Sequence, residues 1–539
     1  MKWSGKGFVL ILAATIIAIA LRVPRLAQRP MHTDEAVHAE KFRLLLEEGC
    51  YRYNPDEYHG PTLNYFTLVP AHLISARKLT QVTEFTLRIV PVFFGVLLVL
   101  LLLLLMDGLG WAGAVCAAVL TAVSPAMVFY SRYYIQEMLL VCFALGVITA
   151  GYRYAQSKNI TWILLAGVFL GLCYATKETC IIAFGSMLPA FFCTLWMRRR
   201  VDNTCTFVST LKVIRPRHLI VAIGAAAAVS ALFYSSFFTN ASGILDSLRS
   251  YVTYFSRANQ NKLHIHPWYY YLKMLIYSRY GAGPVWSEGI IVFLAVVGFV
   301  VAMTRKGVAN VNFNLLRFIA FYTIIMTGLY SLIPYKTPWC VLGFLHGMIL
   351  LAGVGIVAVI RLARNVFTRT IFILLLVTAG AHLAWQGYLG SYKYYADTCN
   401  PYVYAHTSTD IFAIVQRIED VSGVHPDGHN MYIQVICPGG DYWPLPWYLR
   451  FFTHVGWLSE VDDDVPSAPV IIASPRVEAA LMRKLYELPA PGQRNLYVPL
   501  FDTYVELRPQ VELSGYVTKE LWDSYQQHRA KPVQSLANR

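Results

Sequence analysis

Apolar residues in this chain gather in blocks about as long as the 20 or so residues a helix needs to cross the hydrocarbon core of a bilayer. Eleven blocks stand out, at 8–25, 85–106, 110–130, 134–154, 161–176, 178–197, 218–239, 288–304, 316–333, 339–360 and 369–388. A further apolar stretch, Thr62–Ala76, is short and carries Pro70 and His72. Basic residues decide whether it crosses. With eleven spans and the N-terminus inside, the inner loops carry Arg153 and Lys158, then Arg198, Arg199, Arg200, Lys212, Arg215 and Arg217, then Arg305 and Lys306, then Arg361, Arg364 and Arg369. That is the positive-inside bias of cytoplasmic loops. A twelfth crossing would turn every later cluster outward. Residues 62–77 are therefore predicted to form a helix lying in the outer interface, at the cost of leaving Arg77, Lys78 and Arg88 outside.

Beyond Leu389 no apolar run is long enough to span. Met431–Cys437 and Ala468–Ser474 read as short buried strands, Arg476–Leu485 as a helix and Leu496–Leu507 as a strand or hairpin. The predicted fold class is an all-α polytopic membrane domain of about 11 transmembrane helices followed by a small soluble α/β domain. The membrane domain covers 1–389, with an outer loop at 28–84 and another at 240–287. The α/β domain covers 390–525, outside by the odd number of spans, and 526–539 is a tail.

Composition agrees with lipid as solvent. Of 539 residues 56% are hydrophobic and 14% charged, against about 25% charged in soluble domains. The formal charge of +14 lies largely in the inner loops, so it does not signal nucleic acid. The ten cysteines form no CxxC pair or zinc spacing and read as small core residues. Cys50, Cys399 and Cys437 lie outside the spans, and sequence does not pair them. Lys2 and Lys6 ahead of Phe8–Leu21, with Ala18-Ile19-Ala20 near its end, are also the pattern of a cleaved signal peptide. An uncleaved first span is the preferred reading.

Under this topology the polar residues hardest to explain as solvated surface share the outer face: Asp34, Glu35, His59, Arg132, Glu137, Lys177, Glu178, His264, His266 and Lys336. An ionisable group at the edge of an apolar span is a functional candidate. In His32-Thr33-Asp34-Glu35 one carboxylate could deprotonate an acceptor hydroxyl while the other holds the loop, or Asp34 could cap the following helix. Arg132, in Ser131-Arg132-Tyr133, is suited to phosphate or to an ion pair with Glu137. Lys177-Glu178 reads as a hairpin tip or part of a charged site. His59, at the Gly60-Pro61 turn, could meet a phosphate or be structural. His264 and His266 precede Trp268, Tyr269, Tyr270 and Tyr271, rings that stack on sugars or anchor at an interface. The His-x-His pair lacks the close carboxylate that would complete a metal site. Lys336, in Tyr335-Lys336-Thr337-Pro338-Trp339, could bind phosphate or snorkel.

Taken in order, these motifs resemble the GT-C glycosyltransferase superfamily and its protein O-mannosyltransferase-like branch. The resemblance rests on Asp34-Glu35 after the first span, His59-Gly60-Pro61-Thr62-Leu63-Asn64-Tyr65, then Phe85, Arg88 and Pro91, then Ser124-Pro125 ahead of Ser131-Arg132-Tyr133. A closer similarity is to a prokaryotic "flippase activity-associated" subfamily. It is carried by His32-Thr33-Asp34-Glu35-Ala36, Ala175-Thr176-Lys177-Glu178-Thr179, Lys336-Thr337-Pro338-Trp339, the stretch Asn400–Ser408 and the stretch Trp443–Arg450. The resemblance implies an undecaprenyl- or dolichyl-type polyprenyl-phosphate sugar donor, a glycan, lipid or protein acceptor, and a site on the extracytoplasmic face of a prokaryotic cytoplasmic membrane. It makes Asp34 the base, Glu35 a support and Arg132 the phosphate ligand, with Lys336, His266 and His59 as further phosphate candidates. Glu137, Lys177, Glu178, His264, Trp268 and Tyr269 are supporting residues. The expected reaction inverts the anomeric centre and requires no cofactor, although Asp34, Glu35 and Glu137 could together hold Mg2+ or Mn2+. The competing readings are a lipid-linked sugar flippase, which calls for polar groups at mid-bilayer or paired broken helices, and a non-catalytic assembly subunit.

Overall fold

The computed structural model describes residues 4–56, 59–201, 215–260, 264–490 and 492–530. By their contacts the residues fall into two units. One holds Met1–Leu26, Lys41–Arg77 and Glu84–Tyr404; the other holds Ala27–Glu40, Lys78–Thr83 and Ala405–Arg539. Residues 27–40 and 78–83, which hydropathy assigns to the outer loop 28–84, thus cluster with the C-terminal residues.

The first unit is helical. Among the described residues eight helices are long and apolar enough to cross a bilayer: Gly5–Arg22 (α1), Glu84–Leu109, Glu137–Ser157, Cys180–Arg200, Pro216–Tyr234, Phe313–Leu332, Pro338–Leu362 and Val366–Lys393. Trp111–Val123 and Pro125–Ser131 together make one more, bent by 58°. Two shorter apolar helices, Ile160–Tyr174 and Gly289–Thr304, occupy the remaining predicted places. The predicted interfacial helix is shorter than 62–77: α3 runs Thr62–Leu73, because Pro70 leaves its last turn without a full set of donors. Between α1 and α3 lies α2, Thr33–Glu48.

Helices pack closely where side chains are absent. A Cβ on Gly298 would lie 2.1 Å from the Leu351 carbonyl oxygen, and one on Gly355 2.1 Å from that of Leu294. Helices 289–304 and 342–362 therefore meet backbone to backbone, the small-residue packing that replaces hydrophobic association in lipid.

The second unit carries a sheet ordered β2-β1-β3-β6-β4, with β5 on β6. Its strands are β1 (Ile433–Ile436), β2 (Val455–Leu458), β3 (Val470–Ala473), β4 (Tyr497–Pro499), β5 (Val505–Arg508) and β6 (Val511–Thr518). β1 pairs in parallel with both β2 and β3, with Ile433 opposite Val455 and Val470. β6 is antiparallel to β3, β4 and β5. Every residue of β1 and β3 is buried, as continuous apolar runs in parallel strands predict. Ile436, Ile471 and Ala473 form a core with Leu481 and Leu485. The stretch 496–507 is not a hairpin: β4 and β5 each pair with β6, whose eight residues are long enough to serve both. The expected tail is helical in its first part, since a helix spans Lys519–Ala530 and buries Leu521 and Tyr525; residues 531–539 lie outside the described residues.

Candidate active site

The two carboxylates of the Asp-Glu pair have separate surroundings. Both stand in the first turn of α2, where the helix end favours negative charge. Glu35 is fully buried. Its Oε1 accepts from Arg29 Nη2 at 2.8 Å and its Oε2 from the His32 backbone N–H at 3.0 Å. Asp34 has 45% of its side chain exposed, and its nearest ionic neighbour is His32 Nδ1 at 3.8 Å. The Asp34 backbone N–H donates to that same Nδ1 at 3.0 Å. The loop ahead of them is fastened within the second unit. Met31 N–H donates to Tyr448 Oη at 2.8 Å, Thr407 Oγ1 donates to the Met31 carbonyl at 2.7 Å, and the His32 and His406 rings lie 5.1 Å apart. The arrangement can do one thing chemically: hold Glu35 still and present Asp34.

Arg132 belongs to the first unit and is engaged with backbone. Its guanidinium donates to the carbonyls of Arg22 (2.6 Å), Pro24 (2.7 Å) and Arg25 (3.1 Å) and to Tyr392 Oη (3.0 Å), and it lies over the Tyr392 ring. Arg88, fully buried, donates to the Leu26 carbonyl at 2.6 Å. The two arginines thus bind the last carbonyl of α1 and those of the turn that follows it. The structure assigns Arg132 a fastening role that the phosphate reading did not include.

The other candidates form three groups within the first unit. Glu137 pairs with Lys177, both buried. Glu178 accepts from His59 Nδ1 at 2.6 Å and from Tyr53 Oη at 3.2 Å. Burial alone would push the Glu178 carboxyl up; the His59 charge and hydrogen bond outweigh it and hold the group below the ordinary carboxylate range. In the third group His264 Nδ1 lies 2.5 Å and His266 Nε2 3.4 Å from Tyr404 Oη. The backbone joins this group through His266 N–H to the Pro334 carbonyl and Lys336 N–H to the His264 carbonyl. Lys336 Nζ donates to the His266 carbonyl at 3.2 Å and to that of Ile333. Burial, with His264 and the Lys336 charge beside it, holds the His266 imidazole below the ordinary histidine value. Trp268 and Tyr269 are 64% and 46% exposed, as interfacial anchors would be.

A family model described as dolichyl-phosphate-mannose-protein mannosyltransferase matches residues 67–216. No curated protein matches the chain by sequence. By fold it matches ArnT from Cupriavidus metallidurans bound to undecaprenyl phosphate, with a TM-score of 0.62 and 14% identity over 95% of this chain and 98% of that one. The chain therefore shares the fold of ArnT. A second match is the archaeal oligosaccharyltransferase AglB from Archaeoglobus fulgidus in complex with an inhibitory peptide and a dolichol-phosphate, with a TM-score of 0.54 and 12% identity over 88% of this chain and 70% of that one. A third is the Archaeoglobus fulgidus oligosaccharyltransferase tethered with an acceptor peptide, with a TM-score of 0.52 and 13% identity over 84% of this chain. The chain spans 63% of the length of that last relative. Its long apolar helices make it an integral membrane protein with the fold of these relatives.

A divalent ion would have to compete for two of its three candidate ligands, Asp34, Glu35 and Glu137. Glu35 is taken up by Arg29 and Glu137 by Lys177, and among the described residues no three His, Cys, Asp or Glu side chains gather as ligands. The sequence reading also passed over Glu288 and Arg22. Glu288, fully buried at the start of the 289–304 helix, accepts from Ser124 Oγ (2.5 Å), Ala126 N–H (3.0 Å) and Tyr402 Oη (2.7 Å). Arg22 donates to Ser131 Oγ (2.8 Å) and to the carbonyls of Ala122 (2.8 Å) and Thr121 (2.9 Å). Each is a charge inside an apolar block, a signal that could have found it.

Proposed function

We propose that the protein transfers a sugar from a polyprenyl-phosphate donor to a hydroxyl acceptor on the extracytoplasmic face of the membrane, with Asp34 as the base. The observation that carries this reading is the contrast within the acid pair: Glu35 buried and bound, Asp34 exposed and loosely held. Asp34 takes the proton from the acceptor hydroxyl. The acceptor oxygen bonds to the anomeric carbon as the bond from that carbon to the phosphate oxygen breaks, and polyprenyl phosphate leaves with the electron pair. Attack opposite the leaving group inverts the centre. Cations stabilise the charge growing on the phosphate; Lys336 and His59 are the candidates, and an arriving phosphate would favour the protonated form of His266. Arg132 acts here as a positioning residue for the end of α1. A phosphate leaving group lessens the need for a second, proton-donating carboxyl of the glycosidase kind. The donor is supported by the relatives, one bound to undecaprenyl phosphate and one to dolichol-phosphate.

The test is donor consumption by purified protein given radiolabelled polyprenyl-phosphate sugars and a membrane extract as acceptor source. Wild type should turn over and Asp34→Asn should lose about 100-fold or more, the usual scale of a general base. Turnover should survive EDTA. Equal turnover in Asp34→Asn would remove Asp34 as base.

A further inference from the structure

The second unit contains an arrangement that the base does not use. Its three parallel strands lie in the order β2-β1-β3. The chain leaves β1 for the neighbour on one side, and then crosses from β2 to the neighbour on the other. The carboxyl end of β1 is therefore a topological switch point, where open parallel sheets form a crevice for ligands. Cys437–Pro444 follows β1 there, and Ser474-Pro475-Arg476 follows β3.

Three things meet in these loops. First, Gly439 and Gly440 both have positive φ, 68° and 76°, and a Cβ on either would meet nothing within 4 Å. Open space therefore lies over the backbone. Second, the aromatic rings here are half-buried rather than covered. Tyr442 lies 4.9 Å from Trp457 of β2, tilted by 41°, and 6.2 Å from Trp443, tilted by 34°. Third, a polar fork stands beside them. Asp441 Oδ1 accepts from Arg508 Nη2 at 2.7 Å, its Oδ2 lies 3.8 Å from Arg476 Nη1, and Arg508 Nη1 donates to the Trp443 carbonyl at 2.6 Å. Asp441 keeps 38% of its side chain exposed and Arg476 68%.

We infer that this crevice binds a neutral pyranose ring of a glycan. A sugar has an apolar face of C–H groups and a rim of hydroxyls. Tyr442 and Trp457 offer rigid amphipathic rings to the first; Asp441 and Arg476 offer an acceptor and donors to the second. Since Asp441 already offsets much of the arginine charge, the fork suits hydroxyls better than phosphate. The inference deepens the transferase reading by naming a carbohydrate acceptor, and its test is separable from that reading.

The test uses the full-length protein in detergent, titrated with soluble tetrasaccharides of mannose, glucose and N-acetylglucosamine, and separately with inorganic pyrophosphate. Binding is read by saturation-transfer NMR. At least one tetrasaccharide should bind wild type, and Tyr442→Ala and Trp457→Ala should each weaken it about tenfold or more, as loss of a central aromatic contact does. Trp457→Phe keeps a ring and should retain most of the binding, which guards against a misfolded alanine variant. Asp34→Asn should bind as wild type does, so a failed base and a failed glycan site give different results. No tetrasaccharide binding, equal binding in both alanine variants, or binding of pyrophosphate alone would overturn the inference.

Discussion

At Asp34 and Glu35 adjacent, chemically similar side chains are given opposite tasks by burial. Glu35 offsets Arg29, whose side chain is only 7% exposed. Removing one partner of a buried pair costs about 3–5 kcal/mol, because the other charge is left behind. Glu35→Ala should therefore lower the melting temperature markedly in detergent, whereas Asp34→Asn should leave it close to wild type. If the two variants melt alike, the division of roles is wrong. The His59–Glu178 pair adds a pH dependence. Glu178 is held below the ordinary carboxylate range in the folded protein, so the unfolded chain binds a proton first as pH falls. The contribution from ionising Glu178 is present above the unfolded carboxylate value of about 4.3 and is lost as pH falls through the lower folded value. Acid titration of the melting temperature should show this loss in wild type and a smaller one in Glu178→Gln.

Helix ends and breaks explain most of the buried charge. Pro125 has no N–H to give the Thr121 carbonyl, and Ala126 gives its own to Glu288 rather than to the Ala122 carbonyl. Those two carbonyls are the ones that Arg22 takes. One acid and one arginine thus satisfy both sides of the 58° bend, which in an apolar surrounding must be satisfied internally. Arg132 does comparable work at the end of α1, and there the planar fork matters. Arg132→Lys keeps the charge but cannot span three carbonyls. It should cost about 1.5 kcal/mol or more, the scale of a charge-assisted hydrogen bond, and show as a lower melting temperature. A pure phosphate ligand would instead raise the donor KM and leave melting unchanged.

For the molecule as a whole, the eleven apolar blocks predicted the helices because lipid exposure imposes length and composition locally. They did not reveal that the Pro125 block bends, since the compensating Glu288 lies more than 160 residues away. Nor could they assign residues 27–40 to the C-terminal unit, because contacts such as Thr407 to Met31 leave no periodic mark on either segment. β6 escaped notice for a similar reason: Glu512 and Ser514 interrupt its apolar run. Asp34 was legible as a candidate, but its exposure and Glu35's burial were not. The proposed orientation can be checked on intact cells after Cys50, Cys205 and Cys399 are replaced by serine. A membrane-impermeant thiol reagent should label Glu460→Cys directly and Arg199→Cys only after permeabilisation; the reverse pattern would invert the topology. The fastening of the bend by Arg22 also bears on biogenesis. The arginine leaves the ribosome with α1, and the carbonyls it will serve follow about 100 residues later. At synthesis rates of about 5–20 residues per second, that guanidinium waits for seconds, reaching toward the headgroups. On this reasoning α1 is at first provisionally seated, and it becomes a committed part of the bundle only when the bent pair arrives to claim its charge.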